Sequence, residues 1–299
     1  MRRLAYRLAR AHRDRVGVPV IVVGNITVGG SGKTPLVLWI AQFLGRSGFR
    51  PGIVSRGHGG TAAVRGGAPR EVSAACEAAE VGDEPMLLAQ RSGCPVWIGR
   101  DRLAAARALR AAHPECNVLL SDDGLQHYAL QRDIEIAVVD ARGFGNGYLL
   151  PAGPLREPVS RLRSVDAVIA HDNRAVGGYP MRLEGDRFVQ MSDPRSVVGA
   201  DFLRGKRLHA VAAIGDPERF FRQLERLGLS IVRHPFPDHH AFRAGDLQFG
   251  DADPVVMTEK DGVKCKPFAR SGFWTFPVSA ELDPAFGRWL LERLAPTHG

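Results

Sequence analysis

Residues 18–34 read VPVIVVGNITVGGSGKT, and this stretch decides the fold. An apolar run ends at Gly24, a glycine-rich segment follows, and Lys33-Thr34 opens a helical pattern that lasts to about Arg46. A continuous apolar strand is one buried on both faces. A strand that turns through glycines into Lys-Thr and a helix is the arrangement that cradles phosphate. Backbone N–H groups converge, the helix start adds partial positive charge, Lys33 supplies a point charge and Thr34 offers a hydroxyl to Mg²⁺. Thr27, Gly29, Gly30, Ser31, Gly32, Lys33 and Thr34 are therefore the candidate nucleotide contacts. The spacing of such loops asks for glycine at 27, where Thr27 stands, and Gly29, Gly30 and Gly32 compensate in part. The plainer alternative is a glycine-rich turn that caps a helix.

Lysine usage favours the phosphate reading. The chain has only Lys33, Lys206, Lys260, Lys264 and Lys266 among 40 basic residues, so Lys33 stands alone in the first 205 positions. A compact ammonium in an otherwise arginine-rich chain suits a phosphate better than a planar fork does.

Outward from this loop, apolar runs at Gly52 to Ser55, Val96 to Ile98, Val118 to Ser121, Ile134 to Asp140 and Ala167 to Ala170 alternate with helical patterns near Pro85 to Arg91 and Arg102 to Ala112. The expectation is an α/β protein with a P-loop NTPase-like parallel sheet over 18–175. Alternation over Met181 to Met191 predicts a hairpin-like β-ribbon leading into a smaller α/β lobe over 176–299. A cleft between the two lobes would suit a two-substrate site.

Hydrophobic residues at 44% and charged residues at 24% exclude a disordered or collagen-like chain. Of the formal +8, most sits in the first twenty residues, where six arginines face only Asp14. Leu4, Leu8 and Ala11 share one face there, so residues 1–17 read as a basic amphipathic arm. Such an arm suits an anionic membrane surface, or equally a solvated first helix packed by its leucines. No apolar run is long enough to span a bilayer, and no basic run interleaves with aromatics as nucleic-acid binding would want. Cys76, Cys94, Cys116 and Cys265 form no metal spacing and read as reduced, small buried hydrophobes. No obligate protein partner is evident.

Two acidic residues, Asp122-Asp123, close an apolar strand, where hard oxygen ligands for Mg²⁺ would lie beside a phosphate loop. An acidic turn is the alternative. Asp83 precedes a short helix and reads by itself as its N-cap. His239 and His240 in the FPDHH stretch read as loop histidines, although Asp238 beside them and the needs of a hydroxyl acceptor qualify that. Arg156-Glu157 could start a helix, or neutralise phosphate and assist a metal.

Taken together, GNITVGGSGKTP, SRG, VGDEP, SDDGLQHYALQRDIEIAVVD, LPAGPLREP, HPFPDHHAF and MTEKDGVK closely resemble, in order, the tetraacyldisaccharide 4′-kinase family, the lipid A 4′-kinases of Gram-negative bacteria. The resemblance implies transfer of the ATP γ-phosphate to the 4′-hydroxyl of an acylated glucosamine disaccharide 1-phosphate, by a peripheral enzyme at the cytoplasmic face of the inner membrane. It makes Asp83 the catalytic base with His239 paired to it, and reverses the plainer reading of both. Lys33 and Arg156 become phosphate-neutralising groups, and Thr34, Asp122, Asp123 and Glu157 the groups around Mg²⁺. Two departures stand out. The family starts with a longer hydrophobic anchor, which implies weaker or interfacial anchoring here, and it tends to carry Tyr after SRG, where this chain has His58.

A regulatory P-loop ATPase that cycles on and off membranes is the alternative from another class. It would put a lysine early in the loop, where Val28 stands, and has no use for FPDHH. A kinase for a soluble sugar would leave the basic arm unexplained.

Overall fold

A computed structural model of the chain describes residues 15–61, 67–173, 175–250 and 253–295. The basic arm expected over 1–17 lies, apart from its last three residues, outside the described residues.

The apolar run at the head of the loop forms β1 (Val20–Gly24), every residue of it buried. Around it the chain builds β2 (Pro51–Ser55), β3 (Arg70–Glu71), β4 (Val96–Ile98), β5 (Val118–Ser121), β6 (Ile134–Val139), β7 (Ala167–His171) and β8 (Tyr179–Glu184). The first sheet runs β15-β8-β7-β6-β1-β5-β2-β4-β3, where β15 is Ser279–Leu282. All neighbours from β8 to β4 are parallel, and only the edge strands β15 and β3 are antiparallel. Four helices bear on the site: α1 (Lys33–Arg46), α2 (Asp83–Ser92), α3 (Arg102–Ala112) and, from the second lobe, α4 (Pro217–Arg226). β5 and β6 flank β1, so the loops after β1, β5 and β6 emerge side by side at the strand C-termini where the chain reverses its winding.

The second sheet, β10-β9-β14-β13-β11-β12, uses β9 (Arg187–Gln190), β10 (Val197–Gly199), β11 (Arg207–Ala212), β12 (Ser230–Pro235), β13 (Val255–Thr258) and β14 (Phe273–Phe276). Phe188, Phe221 and Phe276 are fully buried on one of its faces with α4, and Phe242, Met257 and Cys265 on another. This is the smaller α/β lobe.

The structure corrects the ribbon. The two strands expected over Met181 to Met191 exist, but they do not pair with each other: β8 joins the first sheet and β9 the second. The antiparallel partner of β8 is β15, almost a hundred residues later. The chain therefore leaves by β8 and returns by β15, and the last helix, α5 (Pro284–Leu294), packs against α1 through Phe286, fully buried beside Trp39 at 5.7 Å. A boundary at 175/176 thus misassigns β8, β15 and α5. The reason is physical: an isolated two-stranded hairpin buries little, whereas two strands docked on different sheets each share a core. No cysteine is paired; Cys116 and Cys265 are buried, while Cys76 and Cys94 are only half-buried.

Candidate active site

The glycine-rich loop enters α1 through Gly32, which caps the helix at φ 90°. A Cβ there would lie 2.6 Å from His171 Nδ1, so both conformation and space demand glycine. Gly30 to Thr34 border a cleft between the lobes, faced by Ile214 to Asp216 and by Thr258 to Lys260 of the second lobe. Thr27 and Gly29 do not border it. Thr27 forms an isolated antiparallel bridge with Leu155, and its carbonyl accepts from Arg156 Nε at 2.9 Å. That strand-like bridge suits a β-branched residue where the usual spacing wants glycine.

Asp122 and Asp123 follow β5, and their side chains diverge. Asp122 is buried; its Oδ2 accepts from Ser55 Oγ at 3.2 Å, Ser55 standing at the end of neighbouring β2. Its Oδ1 is buried without a partner. Burial, then Glu84 and Asp123, hold this carboxyl well above the usual carboxylate range. Asp123, at φ 46°, turns to the loop, where Arg156 Nη1 and Nη2 donate to its two oxygens at 3.0 and 2.9 Å and Lys33 Nζ lies at 3.6 Å. Burial pushes Asp123 up, but Lys33 and Arg156 outweigh it and bring it to about 2. Lys33 and Arg156 both donate to Asn25 Oδ1. The structure thus brings Lys33, Arg156, Asn25 and Asp123 into one cluster.

Glu157 is held elsewhere. It accepts from Tyr128 Oη and from Gln126 Nε2 at 2.9 Å, and Arg161 Nε lies 3.3 Å away. With both oxygens taken by fixed donors, it tethers the segment that carries Arg156; the structure does not leave it open toward a metal.

Asp83 is not an N-cap. Gly82 occupies that position at φ 96°, with His58 O only 2.5 Å from where a Cβ would sit, and Asp83 is the first residue of α2. Its buried carboxylate accepts from His239 Nδ1 at 3.1 Å across 156 residues. Lys260 Nζ and Lys264 Nζ lie 3.8 and 3.9 Å from the same oxygen. Burial pushes Asp83 up, but the His239 hydrogen bond and Lys260 prevail and hold it below its ordinary value. The hydrogen bond to Asp83 in turn lifts His239 above that of a free imidazole. His58, where the family resemblance expects Tyr, packs edge-on against His239 with ring centroids 5.3 Å apart. His240 turns away to Asp246 at 3.0 Å.

Lys260 stands in the Thr258–Asp261 stretch, which by sequence delivers polar groups to a strand end but assigns Lys260 no role of its own. Its Nζ lies 3.0 Å from Glu84, 3.8 Å from Asp83 and 3.6 Å from Asp238. The scarcity of lysine that singles out Lys33 applies equally to Lys260 and Lys264 and was the available signal. Asp83 and His239 border a second cavity, of mixed apolar and basic character, with Met86, Phe242, Val263 and Lys264, while Lys260, 3.8 Å from Asp83, borders the phosphate-loop cleft.

The chain is similar to one family throughout. Residues 1–295 match the family described as tetraacyldisaccharide-1-P 4′-kinase. A tetraacyldisaccharide 4′-kinase of Azoarcus sp. (strain BH72) is 54% identical over 301 residues, covering 98% of this chain and 87% of the relative. One from Methylobacillus flagellatus is 52% identical over 296 residues, with the same coverage. The crystal structure of LpxK from Aquifex aeolicus in complex with ATP superposes with a TM-score of 0.80 at 26% identity, covering 98% of this chain and 94% of that one.

Proposed function

The chain belongs to the tetraacyldisaccharide-1-P 4′-kinase family, and from that premise we infer that it transfers the γ-phosphate of ATP to the 4′-hydroxyl of a tetraacylated glucosamine disaccharide 1-phosphate, yielding the bis-phosphorylated lipid A precursor. The observation that carries the division of labour is the position of Asp83, a buried carboxylate held below its ordinary value, which lines the second pocket and lies 3.8 Å from Lys260 of the phosphate-loop cleft. In this reading ATP lies against Gly30 to Thr34, and the disaccharide enters from the side of Met86, Phe242 and Lys264. Asp83 takes the proton of the attacking hydroxyl, and His239 and Lys260 hold its carboxylate in place and charged. Lys33 and Arg156 set positive charge around the transferring group, and Asp123 and Asn25 fix their directions. In-line phosphoryl transfer asks the protein mainly for positioning and charge neutralisation, which these groups supply.

The residues also fit Mg²⁺. Asp122 Oδ1 is a buried acceptor without a partner, Lys33 of the loop acts on its charge, and Thr34 borders the cleft in the order such loops use. Asp122 and Thr34 would hold the ion with the nucleotide phosphates, Asp123 supporting through its charge. Bound there, the ion would neutralise phosphate charge. Glu157 is better read as the tether of Arg156.

No helix among the described residues is long and apolar enough to cross a membrane. An acceptor carrying four acyl chains stays in a bilayer, so we place the enzyme at a membrane surface, the cytoplasmic face of the inner membrane, with the basic arm as the contact to anionic lipid. The test is a transfer assay with γ-labelled Mg-ATP and tetraacyldisaccharide 1-phosphate in detergent micelles, run beside Asp83→Ala. Label should enter the lipid and be lost in the variant; ATP hydrolysis without lipid labelling would instead favour the regulatory ATPase.

A further inference from the structure

One wall of the nucleotide cleft has no part in the mechanism above. It comes from the second lobe: the turn Ile214–Asp216 and the first turns of α4, including Arg219. The two walls touch, since a Cβ on Gly215 would lie 2.8 Å from Gly30 N. Around the loop the cations are paired with carboxylates: Lys33 and Arg156 with Asp123, Arg142 with Asp140, Lys260 with Glu84. Arg219 is the exception. Asp216 spends its Oδ1 on capping α4, and among the described residues the guanidinium of Arg219 makes no ion pair.

Asp216, Asp140 and Asp172 act on the charge of Arg219 from beyond ion-pair distance, and the side chain it meets at hydrogen-bond distance is His171, at the end of β7. His171 Nδ1 lies 2.8 Å from the carbonyl of Ser31 in the phosphate loop. A carbonyl only accepts, so Nδ1 carries the proton, and the lone pair on Nε2 is left to accept from Arg219 Nη1 at 3.4 Å. Burial, and then Arg219 itself, keep His171 neutral. A bond of that length to a neutral ring is a weak restraint on a half-buried guanidinium. A second group points the same way: Ser31 Oγ borders the same cleft, is buried, and has no partner. An unpaired cation and an unpaired hydroxyl thus face one cleft, the combination that a polyphosphate satisfies.

We propose that Arg219 is a phosphate ligand contributed by the second lobe: with nucleotide bound, its guanidinium turns from His171 onto the terminal phosphate oxygens, opposite Lys33. The proposal rests on the kinase reading only in that the cleft takes a nucleoside triphosphate.

The experiment is isothermal titration of ATP, ADP and AMP, each with Mg²⁺, into the full chain and into Arg219→Gln and Arg219→Lys, with circular dichroism to verify folding. Loss of a charge-assisted contact should weaken ATP about 10- to 100-fold in Arg219→Gln while AMP changes less than about twofold. Lysine should restore ATP binding only in part, since it lacks the fork. Unchanged ATP affinity, or equal weakening of ATP and AMP in a folded variant, overturns the proposal, as does a wild-type chain that binds none of the three. Should the glutamine variant not fold, Arg219→Lys decides: a severalfold drop in the preference for ATP over AMP supports the assignment, and an unchanged preference overturns it. A wild-type chain that binds ATP through Arg219 yet labels no lipid would sink the kinase reading and leave this one standing. Lipid labelling with ATP affinity indifferent to Arg219 would do the reverse.

Discussion

The phosphate loop and the Asp83 junction solve the same problem, holding charge out of water, in opposite ways. At the loop, Lys33 and Asn25 come from one contiguous stretch, and Asp123 after β5 and Arg156 in the long connection from β6 to β7 clamp it from the same lobe. At the junction, Asp83 comes from the first lobe, and His239, Lys260 and Lys264 come from the second. The loop's clamps thus all come from the first lobe, whereas the junction needs both. The loop's own grip on phosphate should depend on the first, with Arg219 the one phosphate contact proposed from the second lobe, and turnover should depend on both.

The largest effect should separate them most cleanly. Asp83→Ala should lower kcat by about 10²- to 10⁴-fold, the range of a general base, while ATP affinity from titration stays within about twofold. An ATP affinity that falls in step with kcat would make Asp83 part of the loop's work and erase the contrast. Lys33→Ala should cost about 10²- to 10³-fold in kcat and weaken ATP as well, because it touches the ground state and the transferring group alike.

His239→Ala sharpens the contrast through pH. In the wild-type chain Asp83 is held below its ordinary value, so the carboxylate remains a base down to acidic pH. Without His239 the burial that pushes Asp83 up is opposed only by the lysines, and the acid limb of the kcat/KM profile should move to higher pH. An unmoved limb would mean that His239 does not tune Asp83. The same pair links the lobes to stability. A depressed Asp83 contributes above its unfolded value of about 3.9 and loses that as pH falls through its folded pKa. A raised His239 contributes fully below its unfolded value of about 6.5 and loses that as pH rises through its folded pKa. The clasp is therefore strongest between about pH 4 and 6.5, and thermal melts of wild type and His239→Ala should differ most there.

The smallest catalytic effect is expected at Glu157. Glu157→Gln keeps the shape but weakens the contacts to Tyr128 and Arg161, so the melting temperature should fall, by about 1–3 kcal/mol of stability, with kcat changed less than about tenfold. A loss of activity rescued by excess Mg²⁺ would instead return Glu157 to the metal.

Much of the loop was legible because its chemistry is local. Apolar strand, glycines, Lys33 and Thr34 are consecutive, and backbone geometry over eleven residues dictates what they can do. Asp83 was not legible from its surroundings, since an aspartate before a helix reads as a cap; only resemblance to a family pointed to His239. Lys260 was legible only as a polar group at a strand end; its place among Asp83, Glu84 and Asp238 was not. Glu157 shows the converse: a carboxylate next to Arg156 reads as a metal ligand until Tyr128, Gln126 and Arg161 are seen to hold it.

The sequence by itself thus determined the parallel α/β sheet, the phosphate loop and the family, because each depends on the order of residues along short stretches. Tertiary structure decided the rest: that β8 pairs with β15 rather than with β9, that Gly82 and not Asp83 caps α2, and that a carboxylate and an imidazole 156 residues apart meet at 3.1 Å. Burial and charge pairing act between whatever groups the packed sheets bring within a few ångströms. Distance along the chain carries no information about that.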